Sequence, residues 1–84
     1  MSGIINYIGV SVLKVTSDTD TVPEGFKTCS FANTGSANAT LTQNGQSWTL
    51  PSGAVFNLDS TRMTDAWYAV VIDASSTTVE ATYY

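Results

Sequence analysis

The side chains able to do chemistry in this chain are few and poorly supplied with partners. Cys29 is the only cysteine and there is no histidine. A cysteine nucleophile needs a base beside it to hold the thiolate, so Cys29, next to Phe31 in an alternating run, reads as a small buried hydrophobe. One cysteine forms no internal disulfide, and without histidine it completes no zinc site. Asp18, Asp20 and Glu24 lie close together in a loop, as oxygen ligands for Ca²⁺ do. Val22, however, stands where a further ligand belongs, and no glycine occupies the sixth position. The expectation is a solvated acidic loop and no metal. Asp59, Asp65 and Asp73 flank the stretch 66–72. Paired carboxylates held at a fixed separation can hydrolyse glycosides, but nothing in the spacing makes these converge, and aspartate commonly caps turns. No catalytic residue, cofactor or metal is expected, and the chain reads as a non-enzyme.

The aromatic residues allow two readings. Trp48, Trp67, Tyr68, Tyr83 and Tyr84 suit a platform on which sugars stack, since aromatic faces among neutral hydrogen-bonding groups match carbohydrate. The alternative is that large aromatics fill a thin core, where they contribute most of the buried area. The second reading is preferred for Trp48 and Trp67, which with Phe56 are expected at the centre of the core. Tyr84 stays open. Asn38-Ala39-Thr40 is a formal glycosylation sequon, expected to be unmodified because no signal peptide is evident.

Composition narrows the partners. Charged residues are 12% of the chain and the net charge is −4. Lys14, Lys27 and Arg62 are scattered, so the clustered positive footprint of a nucleic-acid binder is missing. With 13 threonines and 10 serines, the surface is neutral and hydroxyl-rich. The apolar start, MSGIINYIGVSVL, has no basic lead and is too short to span a bilayer, so it is expected to be folded sequence, with no membrane partner. A single cysteine of the buried type fits synthesis in a reducing cytoplasm, whatever compartment the protein later occupies.

These residues must be positioned by strands. The stretch 31–58 holds alternating runs separated by Asn44-Gly45, which supplies the two positive φ angles of a type I′ turn, and by Pro51-Ser52-Gly53. Further alternating runs at 4–16, 26–32, 37–43, 66–72 and 77–84 join strands 46–50 and 54–58. The stretch 17–25 reads as a loop from its Asp, Thr, Pro and Gly content, and 59–65 reads as a longer connection. The fold class predicted is all-β: one domain over residues 1–84, a small antiparallel β-sandwich of about seven strands, Ig-like or jelly-roll-like.

The pattern F-x-N-x-G-x-x-x-A-T-L, then N-G, then L-P-S-G-A-V-F-N-L resembles short β-sandwich modules of bacteriophage structural proteins: head-decoration, tail-accessory and fibre-associated subunits. Asn33, Gly35, Leu41, Asn44, Gly45, Leu50, Gly53, Phe56 and Leu58 carry the resemblance. It implies a virion protein that assembles with itself or with the capsid or tail. The rival class is a carbohydrate- or receptor-binding module.

Size agrees with assembly. A chain of 84 residues buries only roughly 60–65% of its unfolded surface, and such domains commonly depend on disulfides, metals or partners. With the first two lacking, a homo-oligomer is expected, with a trimer as the symmetry. Its interface is expected at the chain ends. Ile4, Ile5, Tyr7 and Ile8 put apolar side chains on both strand faces, and Tyr83 and Tyr84 lie on a last strand with one charge, Glu80, and no lysine or proline.

Overall fold

The structure, a computed structural model, describes residues 12–60 and 65–84. The expected interface residues Ile4, Ile5, Tyr7 and Ile8, the first part of the strand predicted over 4–16, and Arg62 lie outside the described residues. Eight strands form: β1 (Val12–Thr16), β2 (Thr19–Val22), β3 (Thr28–Asn33), β4 (Ala39–Gln43), β5 (Gln46–Leu50), β6 (Val55–Asp59), β7 (Val70–Asp73) and β8 (Val79–Tyr83). They make two four-stranded sheets, ordered β1-β8-β3-β6 and β2-β7-β4-β5.

The order follows from a single long ribbon. Strand β4 pairs with β5, β3 with β6, β2 with β7 and β1 with β8, all antiparallel, so the two halves of the chain run alongside each other from one apex. That apex is the turn Asn44-Gly45, where φ is 50° and 79°, as a type I′ hairpin requires. Rolling the ribbon adds β3 to β8 in one sheet and β4 to β7 in the other. This is the winding of an eight-stranded jelly roll, and it decides between the two sandwich types that periodicity left open.

Alternation then sets the core. Along β3 the residues Cys29, Phe31 and Asn33 point inward, and along β8 Val79, Ala81 and Tyr83 do. From the second sheet Val22, Ala39, Leu41, Leu50, Val70 and Ile72 meet them. The outward positions Thr40, Thr49 and Thr21 are exposed, as a half-buried antiparallel strand predicts.

Three expectations are corrected. Residues 17–25 are not all loop, because Thr19–Val22 pairs with β7 and Val22 is fully buried. Threonine is a strand former as well as a loop residue, and composition hid that. The strand expected over 66–72 is confined to Val70–Asp73. Finally, the last strand is not a sheet edge. Strand β8 is flanked by β1 and β3, and its Tyr83, expected at an interface, is core, 8% exposed with its ring 6.2 Å edge-on to Phe26. Tyr84 remains exposed.

One polar side chain sits among the most buried. Asn33 is 2% exposed and every position of its carboxamide is used. Its Nδ2 donates to the carbonyls of Ala37 and Leu50, both at 2.8 Å, and its Oδ1 accepts from Gly35 N at 3.1 Å and Thr77 Oγ1 at 2.7 Å. Gly35 is fixed by the same arrangement. A Cβ on it would lie 2.0 Å from Thr77 Oγ1 and 2.6 Å from the backbone nitrogen of Thr78. At Gly45, by contrast, nothing lies within 4 Å of such an atom, and only its positive φ resists a side chain.

Two outcomes follow from this geometry. Asn33→Asp turns both donors into acceptors facing carbonyls and buries a charge, so it should destabilise by about 3 kcal/mol or more. An unchanged urea midpoint would show that the carboxamide is not a buried hub. Gly35→Ala should cost about 3 kcal/mol through overpacking, against about 1 kcal/mol for the strained but uncrowded Gly45→Ala. Equal midpoints for the two variants would contradict the crowding at Thr77.

Candidate functional site

The rolled ribbon brings its apex beside the segment that leads into β7. Residues 65–69 form no sheet strand but are laced to the chain before β3. Trp67 N donates to Phe26 O and Gly25 N to Trp67 O, each at 3.0 Å. The Lys27 ammonium and Ser60 Oγ both donate to the carbonyl of Asp65. Gln43, the last residue of β4, reaches across with its Nε2 to the carbonyl of Tyr68 at 3.1 Å. Between these parts lies a groove of about 830 Å³.

Three sources line it. The hairpin contributes Gln43, Asn44, Gln46 and Trp48. The end of β6 contributes Asp59 and Ser60, and the approach to β7 contributes Asp65, Ala66, Trp67 and Tyr68. Trp48 and Trp67 are half-buried, and Tyr68 is 63% exposed. The Trp48 ring leans on Phe56 with centroids 5.1 Å apart and planes at 57°, and so closes the space between the sheets. Both indole nitrogens are buried and have no hydrogen-bond partner among the described residues. Such orphaned donors are uncommon in folded proteins and costly.

The two tryptophans are therefore rim residues packed against the core. Its centre holds Phe31, Leu41, Ile72, Val22, Val70 and Val79. The expectation that Trp48, Phe56 and Trp67 occupy that centre is corrected. The inward positions at the middle of the strands are taken by Phe31 and branched aliphatic side chains, and the indoles stand at the end of the sandwich beside the groove.

Of the candidate carboxylates, the groove gathers Asp59 and Asp65 and leaves Asp73 elsewhere. Asp73 pairs with Thr19 and Thr40 and accepts from Ser75 N at 3.2 Å, a turn-capping role. Asp59 Oδ1 accepts from Thr28 Oγ1, its cross-strand partner. Asp18 and Glu24 are exposed, and Asp20 Oδ1 accepts from Thr21 N at 2.8 Å. Among the described residues no group of three His, Cys, Asp or Glu is placed to hold a metal ion. The aromatic platform is likewise split: Trp48, Trp67 and Tyr68 share the groove, whereas Tyr83 is in the core.

Gln43, Asn44 and Gln46 were not singled out as site residues by their sequence. Asn44 reads as a turn former, the glutamines sit at the hairpin end of the phase that Leu41 and Trp48 share, and the contact from Gln43 to Tyr68 spans 25 residues. The groove thus presents indole and phenol faces, carboxamides, a hydroxyl and two carboxylates, with no cationic side chain among its described lining residues. None of the protein families, curated proteins or solved structures compared with this chain matches it.

Cys29 stands apart from this chemistry. It is 1% exposed, and burial pushes its thiol up to about 12 from 9.0. The unfolded thiol ionises first, so the stability this group contributes is intact below pH 9.0 and falls as pH rises toward about 12. Against Cys29→Ala, the original chain should lose stability more steeply above that lower value. At neutral pH a thiol reagent should label only the urea-unfolded chain, and rapid labelling of the folded chain would overturn the burial.

Proposed function

We propose that this chain is a non-enzymatic structural protein of a bacteriophage virion, assembling with itself and with capsid or tail proteins. The observation that carries the reading is a sheet whose outer face and edge are unguarded. Strand β6, reading VFNLD, has a second edge with no partner strand among the described residues. It has no lysine or proline to deter pairing, and Val55 is 60% exposed. Beside it, the outer face of β3 and β8 offers Thr28, Ser30, Ala32 and Thr82, with Glu80 as the one charge. A monomer normally protects such an edge, and a subunit uses it.

The residues of the phage-like pattern support the same reading through the parts they play. Asn33 and Gly35 form the buried hub, Asn44 and Gly45 the apex, and Leu41, Leu50 and Leu58 the core. Jelly rolls also recur in capsid proteins. The location is then the virion, after synthesis in the host cytoplasm.

Light scattering of the purified chain should give a concentration-dependent oligomer, with a trimer as the expected species. Val55→Lys, at an exposed position, should shift stability by no more than about 0.5 kcal/mol while weakening association. Deleting residues 1–8 should abolish assembly before it abolishes β structure. A stable monomer at high concentration, unchanged by either alteration, would refute the proposal.

A further inference from the structure

We infer that the groove between the Asn44-Gly45 apex and the segment 65–68 binds a short neutral oligosaccharide. This goes beyond the virion reading and does not rest on it, because binding is measured on the isolated chain. A concavity of about 830 Å³ is the size of a small-molecule site, and ligands of a few rings fill such volumes. Its chemistry is mixed in the way a sugar is mixed. A pyranose ring presents an apolar face of C–H groups and an edge of hydroxyls that both donate and accept. Tyr68, 63% exposed, offers an aromatic ring at the rim, and the half-buried Trp48 and Trp67 line the groove beside it.

The carboxamides of Asn44 and Gln46 each pair a donor with an acceptor, the combination that two adjacent hydroxyls satisfy. The indole N–H groups of Trp48 and Trp67 have no partner among the described residues. A ligand hydroxyl that reached either donor would satisfy a buried polar group.

Charge selects within the sugars. Asp59 and Asp65 are the charged groups among the groove's described lining residues, with the Lys27 ammonium on the Asp65 carbonyl beside them. These residues hold no surplus of positive charge to favour a sulfated, phosphorylated or sialylated ligand over a neutral one. A quaternary ammonium ligand would need a convergent aromatic cage. The Trp48 ring is instead packed against Phe56, and among the described residues Trp48, Trp67 and Tyr68 make no ring contact with one another.

Two tryptophans give two indole N–H signals in a ¹⁵N-correlated NMR spectrum, so the site carries its own reporters. The ¹⁵N-labelled chain should be titrated with neutral tri- to hexasaccharides of glucose, galactose, mannose and N-acetylglucosamine at millimolar concentration. At least one should shift both indole signals saturably. Tyr68→Ala and Gln46→Ala should each weaken that binding by roughly tenfold with thermal stability unchanged, whereas Tyr84→Ala, an exposed aromatic outside the groove, should bind as the original does. The inference fails if no neutral oligosaccharide moves the indole signals. It fails equally if a sulfated or sialylated probe or choline binds more tightly, or if Tyr68→Ala and Gln46→Ala bind undiminished.

Discussion

The side chain of Asn33 holds one end of the molecule together. It ends β3, where the chain leaves the first sheet for the second, and its carboxamide bonds to residues on three connections between sheets. Ala37 and Gly35 belong to the passage from β3 to β4, Leu50 opens the passage from β5 to β6, and Thr77 lies on that from β7 to β8. Its backbone adds two more bonds, from Asn33 N to Ala54 O and from Gly53 N to Asn33 O, each 2.9 Å. The remaining passage, from β1 to β2, is tied in beside it through Ala74 N to Asp18 O at 2.9 Å. Crossovers carry backbone groups that no ladder satisfies, and a buried crossover without partners is costly. One asparagine, with two donors and two acceptors in a plane, meets that need at several connections at once.

Locking one end frees the other. At the opposite end lie the Asn44-Gly45 apex, the chain before β3 and the segment 65–69, and these are the parts that frame the groove. Here Trp48 packs on Phe56 between the sheets, and the polar ties are spread over several groups, with Lys27 and Ser60 on the Asp65 carbonyl and Gln43 on that of Tyr68. A scaffold fixed at one end and rimmed by adaptable aromatics at the other is a common division between stability and recognition.

How much of this was legible in the residues depends on the range of the interaction. The apex was readable because Asn-Gly between alternating runs is a local signal, and both φ angles are positive as expected. The inward faces of β3, β4 and β8 were readable from period two. Strand β2 was not, since threonine and aspartate serve loops and strands alike and only pairing with β7, some 50 residues away, decides the matter. Asn33 and Gly35 stood out as turn residues, yet their weight comes from Thr77 and Leu50, which no local pattern connects to them. For the site, three of the five aromatics grouped by chemistry, Trp48, Trp67 and Tyr68, share the groove, and Tyr83 does not. The preference for placing the two indoles at the core centre failed, because hydrophobicity ranks residues for burial but does not say where a rolled ribbon leaves room.

The placement of apolar surface bears on whether assembly and ligand binding compete. Val55 opens β6 directly after the Ala54 carbonyl that accepts from Asn33, so the unguarded edge begins at the locked end. Tyr68 stands at the other end, in the groove. An edge pairs through its backbone and so demands a rigid strand in fixed register, which the hydrogen-bonded crossovers supply. A sugar site tolerates small ring movements and gains from unpaired donors, which is the state of Trp48 and Trp67. The β6 edge, however, runs from Val55 at the Asn33 end to Asp59, which lines the groove, so the two surfaces meet at the far end of that strand. Pairing confined to the Val55 half of the edge would leave the groove open, whereas pairing along all of β6 would reach its Asp59 wall.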